Sequence, residues 1–386
     1  MTNTRAAAAL SALMVLALMP VARAQAAPET VTLEVSDNRI VFGDKVKLKG
    51  RITPALAGEA VKIVDEDGDT RATATTDGEG RYSATIEPRS NTELQAQWLT
   101  FLSDIRKVKV KPRLSARLKD VRLFDKARAS GRLRPALNGA KVKVRLLRNG
   151  NSVDKKSVSV DEGGEYSARF KIKKPGTYRT KVKFDDDEHL KVSKKSEDKS
   201  TPLPALSKGS HSKYVKLLEK RLDELHYHLT GINKSYNDKT SDAVIAFNKV
   251  QGRSRVGSVS ESTWRALADP KKARPRNDSN GFHIEIDQTR QVVLMVKKGK
   301  VTGIVHTSTG AGGATRDGSF TVHRKIAGYS GGDLYYPSYF DDLRALHGWP
   351  DVPTYPASHG CARLPMWTAQ WVYGKADIGT RVIVYH

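Results

Sequence analysis

Hydrophobic and polar residues alternate along the chain between residues 28 and 190. Stretches such as 60–64 (Ala-Val-Lys-Ile-Val) and 140–144 (Ala-Lys-Val-Lys-Val) direct every second side chain to one face, and turns rich in Gly, Asp and Asn separate them. Alternation with a period of two is typical of strands that bury one face. The pattern therefore predicts a region of short β-strands.

The same region contains an internal repeat. The sequence at 50–56 (Gly-Arg-Ile-Thr-Pro-Ala-Leu) recurs 81 residues later at 131–137 with two changes, and the sequence at 80–84 recurs 84 residues later at 164–168 with one change. Copies of this size fit two immunoglobulin-like β-sandwiches better than a solenoid. We predict β-sandwich repeats at 28–112 and 113–190. They contain no catalytic constellation, so we interpret them as spacers, with a ligand-binding module as the alternative.

Hydrophobic spacing becomes helical between residues 206 and 268. One apolar stripe contains Tyr214, Leu217, Leu218, Leu222 and Leu225, and a second begins at Ala243, Val244 and Phe247. Recurrence at every third or fourth position predicts amphipathic helices. The hydrophilic segments on either side, 191–205 and 269–280, have the composition of linkers.

Residues 1–26 have the layout of a secretory signal peptide. Arg5 precedes an apolar run at 10–19, and small residues follow, with cleavage expected after Ala24 or Ala26. Even counted from Ala6 to Met19, the run is shorter than the roughly 20 residues of a spanning helix. We expect a secreted protein of the cell wall or a periplasm-like space, membrane-anchored if the signal is retained.

The chain is strongly basic, with a formal net charge of +24. Most of the surplus precedes residue 281, since residues 281–386 contain 11 Lys and Arg against 8 Asp and Glu. Nucleic acid is the usual partner of a basic protein, but export removes the chain from it. We therefore expect no nucleic acid, and anionic wall polymers or anionic lipid headgroups as partners. The alternative is a lysine-rich surface that only maintains solubility.

Cys361 is the only cysteine, and it lies in a polar sequence beside histidines. Ser358, His359 and Gly360 precede it, and His347 lies a short distance upstream. A lone thiol cannot form an intramolecular disulfide, and a nearby imidazole can accept its proton. The pattern predicts an acyl-transfer nucleophile rather than a buried apolar thiol. Sequence spacing leaves open whether His359 is the base, an orienting group or a core histidine.

Residues 282–385 resemble the catalytic domain of the L,D-transpeptidases, the YkuD family. The resemblance lies in the upstream His347, in Ser-His-Gly-Cys at 358–361, in the strand at 305–310 that ends in Ser-Thr-Gly, and in the closing Gly-Thr-Arg-Val-Ile-Val at 379–384. Arg316 is a departure, because proline is common there in the family. The resemblance implies a mainly β catalytic domain at 281–386.

The resemblance also implies roles for the site residues. Cys361 is the nucleophile, His347 the base and His359 a supporting residue, while Ser358 positions a histidine or the substrate. Backbone N–H groups at Gly360 and Cys361 are the expected oxyanion donors, since glycine leaves room for the substrate. Arg363 either holds a substrate carboxylate or pairs with an acidic neighbour.

Aromatic residues fill the loop between the two halves of this site. Glycines flank them, which suggests either a mobile lid over the substrate or a packed surface loop. The lid candidates are Tyr329, Tyr335, Tyr336 and Tyr339. Zinc, nucleotide and flavin motifs are absent from the sequence, so we expect no metal and no cofactor.

Residues 206–268 resemble the three-helix peptidoglycan-binding domain that accompanies wall enzymes. The match covers the helix at 215–225, the stretch 240–248 and the closing Thr-Trp-x-x-Leu at 263–267. The complete prediction is a multidomain protein with two β-sandwich repeats, a small helical module and the catalytic domain. Because 281–386 contains both His347 and Cys361, we expect this domain alone to be acylated.

The resemblance implies an exported cysteine L,D-transpeptidase of wall synthesis, wall organisation and cell shape. It would cleave the bond before the terminal D-alanine of a peptidoglycan tetrapeptide stem, hold the stem as a thioester and pass it to an amine on another stem. The alternatives are an L,D-carboxypeptidase with water as acceptor, and a non-catalytic scaffold that binds wall glycan. The intact His347 and Cys361 favour an enzyme over the scaffold.

Overall fold

The computed structural model describes Met1, residues 28–331 and residues 333–386. The predicted signal peptide at 1–26 lies, apart from Met1, outside the described residues. Among the helices of the described residues, none is long and apolar enough to span a membrane. The chain divides into two compact units, Met1–Pro112 with Asp186–Leu190, and Arg113–Asp185 with Lys191–His386.

The first unit is a sandwich of two sheets. Its strands are β1 (Thr30–Val31), β2 (Glu34–Val35), β3 (Arg39–Val41), β4 (Val46–Thr53), β5 (Ala60–Val64), β6 (Thr70–Thr75), β7 (Arg81–Ile86), β8 (Thr92–Trp98), β9 (Phe101–Leu102) and β10 (Arg106–Lys111). One sheet has the order β1-β4-β2 with β7 on β4, and the other has the order β3-β10-β8-β5-β6 with β9 on β8. Alternating residues such as Val46, Leu48 and Leu94 are fully buried in the core.

Residues 186–190 complete the first unit. The Leu190 N–H donates to Val110 O at 2.8 Å, and the Asn91 N–H donates to Glu188 O at 2.7 Å. These backbone hydrogen bonds explain why the short segment packs with the first unit although it lies within the predicted second repeat at 113–190.

The second repeat has the same two-sheet plan. Its strands are β11 (Arg113–Leu114), β12 (Arg117–Lys119), β13 (Lys126–Arg134), β14 (Lys141–Arg148), β15 (Asn151–Ser159), β16 (Glu165–Lys171), β17 (Thr177–Phe184), β18 (Val192–Lys195) and β19 (Lys199–Ser200). One sheet has the order β11-β13-β12 with β16 on β13, and the other β15-β14-β17-β18 with β19 on β17. The predicted linker at 191–205 therefore contains two strands that pair with β17.

A glycine opposite a tyrosine marks the repeat in both sandwiches. Gly50 faces Tyr82 across β4 and β7, and Gly131 faces Tyr166 across β13 and β16. In each copy the tyrosine hydroxyl donates to a backbone carbonyl in the opening segment. A Cβ atom on Gly131 would lie 2.3 Å from the Tyr166 hydroxyl, so only glycine leaves room for this bond.

Three short helices form the next module. They are α1 (Lys213–Glu224), α2 (Asp238–Gln251) and α3 (Glu261–Ala268), with N-caps at Ser212, Asn237 and Ser260. Each N-cap side chain accepts a hydrogen bond from a backbone N–H of the first turn. Helix α2 ends at Gly252, whose left-handed conformation (φ 68°) terminates the helix.

The C-terminal part contains two further sheets. Its elements are β20 (Phe282–Asp287), β21 (Val292–Lys297), β22 (Lys300–His306), a 3-10 turn (Ala311–Gly313), β23 (Gly318–Thr321), β24 (Arg324–Lys325), β25 (Tyr329–Ser330), β26 (Leu334–Asp341), β27 (Arg344–Trp349), β28 (Ala362–Pro365), α4 (Met366–Tyr373) and β29 (Arg381–Tyr385). The sheet orders are β22-β21-β20-β29-β23 and β24-β26-β27-β28, with β25 on β26. The predicted fold class, β-sandwiches with a helical module and a mainly β catalytic domain, is confirmed.

The helical module and the C-terminal sheet share one core. Leu218, Phe247 and Trp264 of the module belong to the same hydrophobic cluster as Leu294 and Ile304 of β21 and β22. The chain at 226–228 also pairs with edge strand β22, since the Ile304 N–H donates to His226 O at 2.8 Å and the His228 N–H donates to Ile304 O at 3.0 Å. The module is thus an integral part of the second unit.

Candidate active site

Two parallel strands bring the predicted nucleophile and base to one place. Strands β27 and β28 pair so that His347 lies opposite Arg363, and Cys361 directly precedes β28. The Cys361 Sγ accepts a hydrogen bond from the Ala345 N–H at 3.4 Å, which places the thiol beside β27, two residues before His347. Because side chains alternate along a strand, Ala345 and His347 direct their side chains to the same face of β27.

His347 has the tautomer that a base requires. Its ring is 2% exposed, and Nδ1 lies 3.0 Å from Gly348 O. A carbonyl only accepts, so Nδ1 carries the proton and Nε2 is left with a free lone pair. Burial lowers the pKa of His347 to about 4, and the charge of Arg363 acts in the same direction. The imidazole is therefore neutral near pH 7.

Cys361 is partly buried, and burial raises the pKa of its thiol. The Ala345 N–H and the charges of Arg363 and Arg344 act in the opposite direction, because they stabilise a thiolate. The resting pair is thus a neutral thiol beside a neutral imidazole. Attack on a carbonyl from this state requires proton transfer from sulfur to the base.

The loop before Cys361 is held by Ser358 and Gly360. The Ser358 hydroxyl donates to Cys361 O at 2.6 Å and accepts the Gly360 N–H at 3.1 Å. Gly360 has φ 136°, and a Cβ atom there would lie 2.9 Å from Arg344 Nε, so glycine is required for both reasons. The oxyanion role of Gly360 stays a prediction, and it requires the Gly360 N–H to turn from Ser358 to the substrate.

The two histidines differ in their surroundings. His359 is exposed, whereas His347 is buried beside Trp349, whose ring meets it edge-on at 5.6 Å. The guanidinium of Arg363 lies over the Trp349 ring, 4.8 Å from the ring centre. No salt bridge from Arg363 to a carboxylate is found among the described residues, and its role in holding a substrate carboxylate stays a prediction.

The structure groups three of the four lid tyrosines. Tyr329 and Tyr335 face each other across the β25–β26 hairpin at 4.9 Å, and Tyr336 contacts Tyr335 at 4.7 Å. Tyr329 is 64% exposed. Tyr339, in contrast, is buried below the hairpin, with the guanidinium of Arg324 3.9 Å from its ring centre. Their action as a lid stays a prediction.

An ionic network under the Cys361 loop was not predicted from the sequence. Asp341 is 7% exposed and accepts from Arg316 Nη2 at 2.5 Å and from Arg344 Nη1 at 3.1 Å. Arg344 Nε also donates to Ala314 O at 2.9 Å. Arg316, the departure from the family, thus helps to fix the segment under Gly360. Sequence gave no signal for it, because its partner lies 25 residues away.

The Thr315 side chain links Gly310, which precedes the 3-10 turn, to Gly360 of the Cys361 loop. Its hydroxyl donates to Gly360 O and accepts the Gly310 N–H, both at 2.8 Å.

In the described ranges, 28–331 and 333–386, no group of three His, Cys, Asp or Glu residues is arranged to hold a metal ion. The chemistry that this arrangement supports is thiol attack assisted by a neutral imidazole.

Comparisons with known proteins identify the domain that carries this geometry. Residues 281–384 match the YkuD family, described as the L,D-transpeptidase catalytic domain. No curated protein matches the chain.

Solved L,D-transpeptidases are similar to this chain. One from Xylanimonas cellulosilytica (residues 123–326) is 35% identical, with 48% of this chain and 99% of that chain covered and a TM-score of 0.46. One from Stackebrandtia nassauensis is 24% identical, with 48% and 97% covered and a TM-score of 0.31. One from Mycobacterium tuberculosis is 23% identical, with 28% and 58% covered and a TM-score of 0.26. By the family match, residues 281–384 of this chain are a catalytic domain of the YkuD family of L,D-transpeptidases.

Proposed function

We propose that this protein is an exported cysteine L,D-transpeptidase that cross-links peptidoglycan stem peptides through a thioester. The observation that supports the proposal is the β27–β28 register, in which the Cys361 thiol contacts the Ala345 N–H two residues before the buried His347, whose Nε2 is unprotonated. An acyl transferase of this kind needs a nucleophile and a base, and both are present.

In the first half-reaction, the Cys361 sulfur attacks the peptide carbonyl before the terminal D-alanine of the donor stem. Nε2 of His347 takes the thiol proton, and the carbonyl electrons move onto oxygen. When this tetrahedral intermediate collapses, the C–N bond breaks and His347 returns the proton to the leaving D-alanine amine. The stem is then held on Cys361 as a thioester.

In the second half-reaction, a side-chain amine of an acceptor stem attacks the thioester carbonyl. His347 removes a proton from this amine, the C–S bond breaks, and the thiolate regains a proton. Burial lowers the pKa of His347 to about 4, so the ring is neutral at neutral pH and its Nε2 is available to accept a proton in both steps.

Mass spectrometry of the intact protein tests the proposal. Incubation with a tetrapeptide stem should add the mass of the stem without its terminal alanine. Addition of an amine acceptor should then discharge the adduct into a cross-linked peptide. Discharge to free tripeptide in the presence of acceptor would identify a carboxypeptidase. Stem binding without any adduct would leave only the scaffold alternative.

We also propose that the basic region before residue 281 binds anionic wall polymers, and that the module at 206–268 binds wall glycan. The formal net charge of +24 supports the first part. Full-length protein should pellet with wall sacculi at low salt and do so less as salt approaches about 1 M, where the screening length is about 3 Å.

The matched control for this measurement is sacculi stripped of their anionic polymers. If the polymers are the partner, stripped sacculi should bind weakly at every salt concentration. Binding that changes neither with salt concentration nor with removal of the anionic polymers would contradict the proposed electrostatic binding and favour glycan contacts by the helical module.

A further inference from the structure

Lys249 is a buried lysine whose partners all lie in another domain. It is in the last turn of helix α2 and is 3% exposed. Its Nζ donates to Gln291 O at 2.9 Å and to Thr307 O at 2.9 Å, and it contacts His306 Nδ1 at 2.7 Å. An ammonium group has three hydrogens, and the catalytic domain supplies an acceptor for each.

The tautomer of His306 follows from its second contact. Nε2 of this buried ring lies 2.9 Å from Val352 O, and a carbonyl can only accept, so Nε2 carries a proton. Nδ1 is then the acceptor for Lys249. Through His306, the lysine also holds Val352, which belongs to the connection between β27 and the Cys361 loop.

Residues 307–309, which follow β22 and contact Lys249 at Thr307 O, form hydrogen bonds with the residues around Cys361. The Thr307 hydroxyl donates to Arg363 O at 2.7 Å. Ser308 and Arg363 exchange two backbone hydrogen bonds, at 2.9 and 3.1 Å. Thr309 O accepts the N–H groups of Ala357 and Ser358. Residues 307–309 therefore fix the chain on both sides of the nucleophile.

Arg255 makes a second contact from the helical module to the same region. Its Nη1 donates to Thr354 O at 2.6 Å and its Nη2 to Thr289 O at 2.9 Å. Thr354 lies in the connection that Val352 also belongs to. Two basic side chains of one module thus donate to backbone carbonyls around the Cys361 loop.

We propose that Lys249 is a positioning residue for the Cys361 loop, so that the helical module completes the active site. The proposal rests on the proposed function, in which Cys361 is acylated. Lys249 acts through Thr307 and His306, and it does not touch the reacting atoms.

A buried lysine costs more free energy of desolvation than an apolar side chain, so packing alone does not explain Lys249. Burial lowers the pKa of Lys249, because desolvation disfavours its charge, and the three acceptors around Nζ oppose this effect by holding the hydrogens of the protonated form. An apolar residue would avoid this desolvation penalty, but it would leave two carbonyls and one imidazole nitrogen buried without a donor. The lysine is therefore explained by the three acceptors that it holds in place.

The test is Lys249→Met in the full chain, since methionine is unbranched, of similar length and lacks the donors. At saturating stem peptide, the acylation rate should fall by roughly tenfold to a hundredfold, as expected when a nucleophile is misplaced by about 1 Å. The apparent KM should change little, because the substrate-binding face is not altered. Circular dichroism should show the native fold.

Lys239→Met is the matched control. Lys239 lies in the first turn of the same helix, is half-buried and donates no hydrogen bond among the described residues. Its replacement should leave acylation unchanged. A nitrogen-15 spectrum of the histidine rings supplies a readout that general destabilisation would not move, since the Nδ1 signal of His306 should lose its hydrogen bond only in Lys249→Met, while Nε2–H still donates to Val352 O.

Several outcomes would overturn the proposal. They are wild-type acylation in Lys249→Met, a loss confined to KM, and an equal loss in Lys239→Met. If Lys249→Met does not fold, Arg255→Met replaces it and should lower the acylation rate to a smaller extent, and an unchanged rate in that variant refutes the proposal. A wild-type protein that forms no adduct would contradict the proposed function instead, and the His306 Nδ1 signal would still test the Lys249 contact.

Discussion

Cys361→Ala should abolish formation of the acyl-enzyme. The substitution removes the only thiol of the chain, and no second covalent route exists without it. We expect no adduct in the intact mass spectrum and a turnover rate several orders of magnitude below that of the wild type. The fold should survive, because the side chain is only partly buried and its backbone remains paired through Ser358.

Cys361→Ser is the matched variant for this measurement. It keeps a hydroxyl in place of the thiol, but a serine hydroxyl ionises far less readily and His347 is a weak base with a pKa of about 4. Both variants should unfold at temperatures close to that of the wild type. Unimpaired turnover in Cys361→Ala would refute the cysteine mechanism.

His347→Ala should slow acylation by roughly a hundredfold to ten-thousandfold, the range typical of a lost general base. His347 is buried in the strand that flanks the thiol, and its Nε2 has a free lone pair. His359→Ala should have a much smaller effect, because His359 is exposed. Single-turnover kinetics of the two variants measures the difference, and the reverse ranking would move the base to His359.

The pH dependence of acylation should follow the same assignment. Since burial lowers the pKa of His347 to about 4, the ring becomes protonated and unable to accept a proton only below that pH. The wild-type rate should therefore be level near neutrality and fall with a midpoint near pH 4. His359→Ala should keep this acid limb, whereas His347→Ala should lose it and depend on thiolate formation at alkaline pH.

Local patterns allowed much of this fold to be predicted. Strand alternation and the repeated Gly-Arg and Tyr-Ser motifs depend on neighbouring residues, so they are visible in the sequence. The family motif likewise placed Cys361 and His347 together, and the β27–β28 register shows how the chain does so. The segment at 191–205 was assigned as a linker because its charge and prolines masked two short strands.

Long-range polar contacts were beyond sequence reasoning. A lysine near a helix end normally extends into solvent, so nothing in the pattern marked Lys249 as buried. Its role depends on three acceptors that lie 42 to 58 residues away along the chain. The Arg316–Asp341 pair was invisible for the same reason. These contacts arise only once the strands have their register.

The pairing of residues 226–228 with β22 bears on how the catalytic domain can be separated from the rest of the chain. Strand β22 is the last strand of its sheet, and Tyr227 covers its outer edge at Ile304. A fragment that begins at residue 281 would expose this edge, together with the apolar side chains of Ile304 and Leu294 that now face the module. Open strand edges pair with other copies of themselves. The isolated domain, although it contains both His347 and Cys361, would therefore tend to aggregate. In the full chain, the helical module covers this edge and so prevents self-association of the catalytic domain.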